Sequence, residues 1–348
     1  MSETKEVRRE EQLPQANVEQ FIRTFIPNVP QGELCIKQFS AGHSNLTYLL
    51  QIGDWEAVLR RPPLGPIAPK AHDMQRESFF LQEIGSMFTA APQVYATTVD
   101  EHWIGAPFFI MERKKGMVLD TIWPKTLPYE PTLGQSISQA MVDGLVDLHQ
   151  IPPTNKLLTI AQPQGFMARQ VKGWISRYQR AKTADIQGVE TIMRYLEQHT
   201  PTPQAATIIH YDYKVNNAMF TSDCSKMVGL FDWEMSTIGD PLADVAVAMT
   251  YWMQQDDHDA IKYALGQPPV TVLPGFYTRD DFLQRYSTKT GFDLANMNYY
   301  IIFAYFKLAV IGQQIYYRYA KGQTTDNRFQ HFDKLVANMI QRAYALVP

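Results

Sequence analysis

One stretch constrains this chain more than any other: residues 206–244, ATIIHYDYKVNNAMFTSDCSKMVGLFDWEMSTIGDPLAD. Two short apolar runs, Ala206–Ile209 and Met227–Phe231, each break off into a polar cluster, and a segment rich in Ser, Asp and Asn separates them. Apolar runs of this length bounded by turn formers read as strands that carry functional groups at their ends. The first run delivers His210, Asp212, Lys214 and Asn217; the second delivers Asp232 and Glu234.

These side chains form a coherent chemical set. A carboxylate that can accept a proton, a cation that can face a phosphate, and two oxygen donors suited to magnesium are what phosphoryl transfer requires, because the protein contributes positioning and charge neutralisation. H-Y-D-Y-K-V-N-N matches the kinase catalytic loop H-R-D-x-x-x-x-N position for position, and Asp232 opens a D-W-E where protein kinases carry D-F-G. On these residues the chain resembles the aminoglycoside phosphotransferase/choline kinase family, the small-molecule relatives of protein kinases. It is most similar to the kinase-like domain that some acyl-CoA dehydrogenases carry as a fusion, which reads HGDYRxDN and then DWExxxxGDPLAD. The chain departs from that pattern at Tyr211, where Gly is usual, and at Lys214, where Arg is usual and the charge is kept.

The resemblance runs over about residues 30 to 345 and implies an α+β, bilobal, protein-kinase-like fold. An N-terminal lobe, residues 1–113, would hold an antiparallel five-stranded sheet and one main helix, with 1–15 a disordered arm. A larger, mostly helical C-terminal lobe, residues 114–348, would carry catalysis and the acceptor site. The resemblance also implies roles for individual residues. Asp212 orients or deprotonates a substrate hydroxyl, Lys214 neutralises the transferring phosphoryl group, and His210 orders the loop. Asn217 and Asp232 hold Mg2+. Val58-Leu59-Arg60 stands where kinases have V-A-I-K, so Arg60 grips the nucleotide phosphates with Glu77 as its partner. Its neighbour Arg61 falls on the other face of the strand. The small, polar turn that includes Ser44 and Asn45 would cover the phosphates, and the hinge from Met111 to Arg113 would receive the base. ATP or GTP is the co-substrate. The acceptor is a small molecule bearing a hydroxyl: a hydroxyacyl-CoA, as the dehydrogenase-linked relatives imply, or an aminoglycoside, a choline-like amine or a sugar. Two other classes stay open, a pseudokinase that binds nucleotide without transfer and a metallohydrolase built on H-x-D.

The rest of the sequence is consistent with an ordinary globular enzyme. With 45% hydrophobic and 19% charged residues among 348, there is ample material for a core. A net charge of −3 argues against a nucleic-acid partner. Two cysteines, Cys35 and Cys224, point away from a disulfide framework and towards a reducing compartment. The charged N-terminus has no signal-peptide core, and the run Tyr299–Ile311 is too short to span a bilayer and contains Lys307, so a cytoplasmic protein with no membrane partner is expected. Helix candidates are Ala16–Ile26, 71–87, Gln135–His149, Gly165–Lys182, Arg279–Thr290, Met297–Tyr319 and Arg328–Leu346. The helix from Gly165 carries Arg169, Lys172 and Arg180 with Trp174 and Tyr178 interleaved, which suits an anionic acceptor better than a polycation. Asp240-Pro241 reads as an N-cap with Pro at the first helical position, and Asp244 one turn on would brace the catalytic loop. The acidic run Gln254–Asp259 reads as a solvated loop.

Overall fold

The computed structural model describes residues 3–40, 45–65, 72–263, 266–324 and 326–348. Their contacts divide the chain into two compact units, Met1–Gly116 with Val228–Ser236, and Met117–Met227 with Thr237–Pro348.

The first unit is built on an antiparallel sheet of six strands: β1 (Thr4–Lys5), β2 (Cys35–Phe39), β3 (Leu46–Ile52), β4 (Trp55–Arg61), β5 (Val94–Thr98) and β6 (Phe108–Glu112), in the order β1-β2-β3-β4-β6-β5. The pleat sorts β4 by alternation. Ala57 and Leu59 join Tyr48, Leu50, Ile52, Phe108 and Ile110 in a core capped by Val18, Phe21 and Ile22 of helix α1 (Gln15–Phe25). Arg61 points to that side and donates to the Ile104 carbonyl at 3.2 Å. Val58 and Arg60 therefore face the opposite side, where helix α2 (Met74–Ile84) lies against β5 and β6.

Within residues 3–15, expected as part of a disordered arm, Thr4 and Lys5 instead extend this sheet. Thr4 and Lys5 pair with Phe39 and Gln38, Val7 and Leu13 pack on the core, and the Tyr48 hydroxyl donates to the Glu11 carbonyl at 2.7 Å. The charges that suggested disorder suit an exposed edge strand, which needs polar side chains to discourage further pairing. The sheet consequently has six strands and not five.

The second unit is helical. In chain order it contains β7 (Met117–Val118), α3 (Pro131–His149), α4 (Asn155–Ile160), α5 (Phe166–Ala181), α6 (Val189–Gln198), β8 (Thr207–Ile209) and β9 (Ala218–Phe220); β10 (Met227–Leu230) belongs to the first unit from Val228 on, and the second unit resumes with β11 (Thr237–Gly239), α7 (Pro241–Tyr251), α8 (Asp259–Lys262), α9 (Arg279–Thr290), α10 (Met297–Ala320) and α11 (Phe332–Ala345). Helix α10 is mostly buried from Tyr299 to Gln313 and packs against α5, α6, α7 and α11, so the run that contains Lys307 is central to this unit. Among the described residues no helix is long and apolar enough to cross a membrane. Asp240 caps α7 by accepting from the Leu242 N–H at 3.0 Å, and Thr278 with Asp281 forms a capping box on α9.

The acidic run 254–259 is also more than a solvated loop. Asp257 is buried and forms ion pairs with Arg279 and Arg342, guanidiniums 22 and 85 residues further along the chain. Two cations turn an acidic stretch into a tie between α9 and α11, because an enclosed carboxylate persists only when it is paired.

Candidate active site

In the first unit, Arg60 is the hub. It is 7% exposed, its Nε lies 3.2 Å from Glu77 of α2, and its Nη2 lies 2.7 Å from Asp232. Burial works against the Arg60 charge, but Glu77 and Asp232 together hold the guanidinium more firmly protonated than usual. Burial pushes Glu77 up to about 7 against the pull of Arg60, since Glu77 is fully enclosed and must share that cation with Asp232. Asp232 reaches this position because Val228–Ser236 belongs to the first unit. The Leu230 N–H donates to the Ala90 carbonyl, Trp233 stacks edge-on against Phe88, and Arg76 donates to the carbonyls of Glu234 and Ser236. Asp232 adopts φ 63°, a left-handed conformation that Asp tolerates better than most residues. The carboxylate of Glu234 accepts from Asn45 Nδ2 at 3.2 Å, and Asn45 Oδ1 meets His72 Nδ1 at 2.8 Å.

In the second unit the catalytic-loop candidates leave strand β8, which pairs with β11 through Ile209↔Thr237 and Ile208↔Ile238. Asp244 of α7, fully buried, accepts the N–H of His210 at 2.7 Å and that of Tyr211 at 2.8 Å. Burial alone would raise the Asp244 carboxyl, yet hydrogen bonds and charge from His149 and His210 hold it below the ordinary carboxylate range. His149, at the end of α3, meets Asp244 at 3.1 Å and the Tyr286 hydroxyl at 2.7 Å. The His210 ring accepts the Asp212 N–H at 3.3 Å, and the Tyr213 hydroxyl donates to the Met141 carbonyl at 2.7 Å.

The Asp212 carboxylate itself is surrounded by donors. Lys214 Nζ lies 3.0 Å from Oδ2, Asn217 Nδ2 donates to the same oxygen at 3.0 Å and to the Asp212 carbonyl at 3.0 Å, and the Tyr251 hydroxyl hydrogen-bonds it as well. Burial first and then the Asp212 charge push the Tyr251 hydroxyl well above its ordinary pKa, so it stays a proton-bearing donor. Asp212 and Lys214 keep 22% and 27% of their side-chain surface exposed, so a solute can reach both.

The profile of the phosphotransferase enzyme family matches residues 36–272, about two thirds of the chain. The chain belongs to this family. Among curated relatives, acyl-CoA dehydrogenase family member 10 of Mus musculus is 29% identical over 343 residues, covering 98% of this chain and 32% of that protein. The chain therefore spans about a third of the length of that relative. Among solved structures, one from Ralstonia eutropha JMP134 described as an aminoglycoside phosphotransferase has a TM-score of 0.79 at 24% identity, covering 96% of this chain and 98% of that one. The aminoglycoside phosphotransferase APH(4)-Ia, as a thermostable mutant in ternary complex with AMP-PNP and hygromycin B, has a TM-score of 0.58 at 13% identity, covering 95% and 98%. These likenesses establish the fold. They agree with the α+β architecture, and the family match makes the chain a phosphotransferase.

Within this phosphotransferase, the residues singled out from sequence fall into two groups by unit. Arg60, Glu77, Asn45 and Asp232 are joined by hydrogen bonds and ion pairs in the first; His210, Asp212, Lys214 and Asn217 are joined in the second. Met111 is buried and sits in the ladder between Val58 and Val94. The Arg113 guanidinium is engaged by Glu56 at 2.6 Å and Glu3 at 2.8 Å. Ser44 lies outside the described residues. Among the described residues no group of three or more His, Cys, Asp and Glu side chains is arranged to hold a metal.

Three residues of the loop's setting were not singled out as site residues: Tyr251, His149 as the partner of Asp244, and Lys307. A lysine inside an apolar run was the available signal for Lys307. Tyr211, the departure from the family pattern, adopts φ 67°, where a Cβ costs about 1–2 kcal/mol. Its ring is 3% exposed and lies edge-on to Phe166 at 5.8 Å and under the Lys307 ammonium at 3.3 Å, so it packs into the second unit. While the ammonium is charged, its contact with the ring works against this backbone strain.

Proposed function

We propose that this chain transfers the γ-phosphoryl group of a purine nucleoside triphosphate, ATP or GTP, to a hydroxyl of a hydroxyacyl-CoA, with magnesium and in the cytoplasm. The observation that carries the reading is the Asp212 carboxylate, held by Lys214, Asn217 and Tyr251 while still open to a solute. A carboxylate so fixed can accept the hydroxyl hydrogen and aim the oxygen, and Lys214 beside it can neutralise the equatorial oxygens of the group in flight. Arg60, clamped by Glu77, takes the α- and β-phosphates through its guanidinium fork. Asn45 covers the phosphates, and the segment from Met111 to Arg113 receives the purine through its backbone.

The donor set fits magnesium. A hard cation takes oxygen ligands, and Asn217 spends its Nδ2 on Asp212, so its carbonyl oxygen is the atom it can offer a cation. The carboxylate of Asp232 would be the second ligand. Magnesium, when bound, neutralises charge on the β- and γ-phosphate oxygens.

Two features support a CoA ester as acceptor. The relative noted above is an acyl-CoA dehydrogenase family member. Helix α5 also exposes Arg169, Lys172 and Arg180, which favour an anionic acceptor. The two cysteines, one exposed and one buried, are unpaired, as suits a reducing compartment.

The test is nucleotide-dependent phosphorylation of 4-hydroxyacyl-CoA, amino-alcohol and aminoglycoside acceptors, with Asp212→Ala as the blank. The expected result is transfer to the hydroxyacyl-CoA that falls by roughly 10²–10⁴-fold in the variant. Transfer to an aminoglycoside alone overturns the acceptor. Nucleotide binding without transfer to any acceptor overturns the kinase reading.

A further inference from the structure

Lys307 is the charge that phosphotransfer, as outlined above, leaves without a role. It lies in the middle of α10 and is 3% exposed. An ammonium buried so far is retained against a large desolvation cost unless a carboxylate pairs with it. Among the described residues no carboxylate lies within ion-pair distance. Instead, Lys307 Nζ donates to the Tyr211 carbonyl at 3.0 Å, stands 3.3 Å from the centroid of the Tyr211 ring, and lies 6.0 Å from that of Trp174 on α5. The charges that face it at longer range are Asp212 and Lys214 of the loop and Asp244 of α7.

These contacts complete a pattern in the loop backbone. Asp244 holds the N–H of His210 and of Tyr211, the His210 ring holds the N–H of Asp212, and Lys307 holds the carbonyl of Tyr211. The Tyr211 carbonyl and the Asp212 N–H belong to one rigid peptide plane, so gripping both ends fixes its rotation. The rotation of that plane sets the direction in which the Asp212 side chain leaves the backbone.

Resting on the phosphotransferase reading, we propose that Lys307 is a positioning residue for the transfer: it clamps the Tyr211–Asp212 peptide so that the Asp212 carboxylate meets the acceptor hydroxyl. The Tyr211 ring covers the ammonium. This gives a bulky residue a purpose at a left-handed position where Gly would be unstrained.

Steady-state kinetics with Mg·ATP and a 4-hydroxyacyl-CoA test the clamp. Lys307→Met should lower kcat by roughly 10²-fold through misplacement of the base. The KM for Mg·ATP should stay within about twofold, because Arg60, Glu77 and Asn45, proposed to hold and cover the phosphates, lie in the other unit. Lys307→Arg, which keeps a buried donor, should recover most of the loss. A kcat for Lys307→Met within about threefold of wild type overturns the proposal, as does a loss that tracks the folded fraction in a thermal melt or one that Lys307→Arg does not recover.

Amide hydrogen exchange without nucleotide reads the clamp independently of turnover. Lys307→Met should speed exchange at Tyr211 and Asp212 by roughly tenfold or more, while the amides of β8 and α7 keep their rates. Unchanged exchange at those two amides overturns the clamp. If exchange speeds up but the wild type phosphorylates none of the acceptors, the function reading fails and the clamp stands.

Discussion

The two groups of site residues are held by different physics. In the first unit, Arg60, Glu77 and Asp232 hold one another through side-chain charge, with an enclosed guanidinium between two carboxylates. In the second, Asp212 is aimed by its backbone. Asp244, His210 and Lys307 grip three successive peptide groups, and the side-chain donors Lys214, Asn217 and Tyr251 act on a carboxylate that is already placed. A charge hub suits the grip proposed for Arg60, in which phosphates would replace Asp232 as its partners. A pinned peptide suits a task that is mainly direction, because an error of about 1 Å at a reacting oxygen can cost about 10²-fold in rate.

The sharpest way to break this contrast is to remove the hub. Arg60→Met leaves Glu77 buried without its cation, and a buried pair broken on one side typically loses about 3–5 kcal/mol. Below pH 7 the loss should be smaller, because a carboxyl already pushed up to about 7 can take a proton instead. Glu77→Gln keeps a hydrogen-bond acceptor for Arg60 and leaves the Asp232 pair intact, so it should lose only about 1 kcal/mol. Urea unfolding of both variants checks this. Equal losses would mean that the first unit relies on the packing of α2 and not on the hub.

The second unit offers a titration that sharpens the contrast. Burial lowers Lys307 to about 7 from an ordinary value of 10.5. Between those values the unfolded chain binds more protons at this site than the folded chain does, so stability rises with pH across the window. The cost of charging Lys307 is fully present below pH 7 and is relieved progressively above it. Relative to Lys307→Met, wild-type stability should climb by about 2–3 kcal/mol from pH 6 to pH 9, measured by urea unfolding at each pH. A flat difference would mean that Lys307 keeps its charge throughout, held by Asp212 and Asp244.

What could be read from the sequence follows the same division. The Arg60–Glu77 pairing is legible because V-L-R stands where kinases have V-A-I-K and the resemblance names Glu77 as its partner, and alternation along β4 sends Arg60 and Arg61 to opposite faces. Asp244 was found because GDPLAD places it one turn inside a capped helix. Lys307 could not be found in this way. It acts on a loop 96 residues earlier in the chain, and its neighbours Phe306 and Ala309 read only as core. The direction of the Tyr211 ring was equally hidden, since it depends on where α5 and α10 pack. The acidic run was misread for the same reason. Asp257 looks solvated until Arg279 and Arg342 arrive from elsewhere in the chain, and the charged N-terminus looks loose until β2 offers it an edge. Local chemistry is legible; a partner brought by tertiary packing is not.

The smallest effect probes the edge of the first group. Arg113 was assigned to the hinge beside the nucleotide base, yet its guanidinium is engaged by Glu56 and Glu3, with 19% of the side chain exposed. Lys115 reaches Glu56 as well, at 2.8 Å, so Glu56 keeps a cation when Arg113 is removed. Partly exposed pairs of this kind contribute at most about 1 kcal/mol, and loss of one member of a shared cluster contributes less. Arg113→Ala should therefore change stability by under about 1 kcal/mol and leave the KM for the nucleotide within about twofold, because base recognition at a hinge runs through backbone groups that the substitution leaves in place. A KM rise of about tenfold or more, with stability unchanged, would show that the side chain leaves Glu56 to meet the nucleotide. The first group would then extend along β6, and its grip would no longer rest on Arg60 alone.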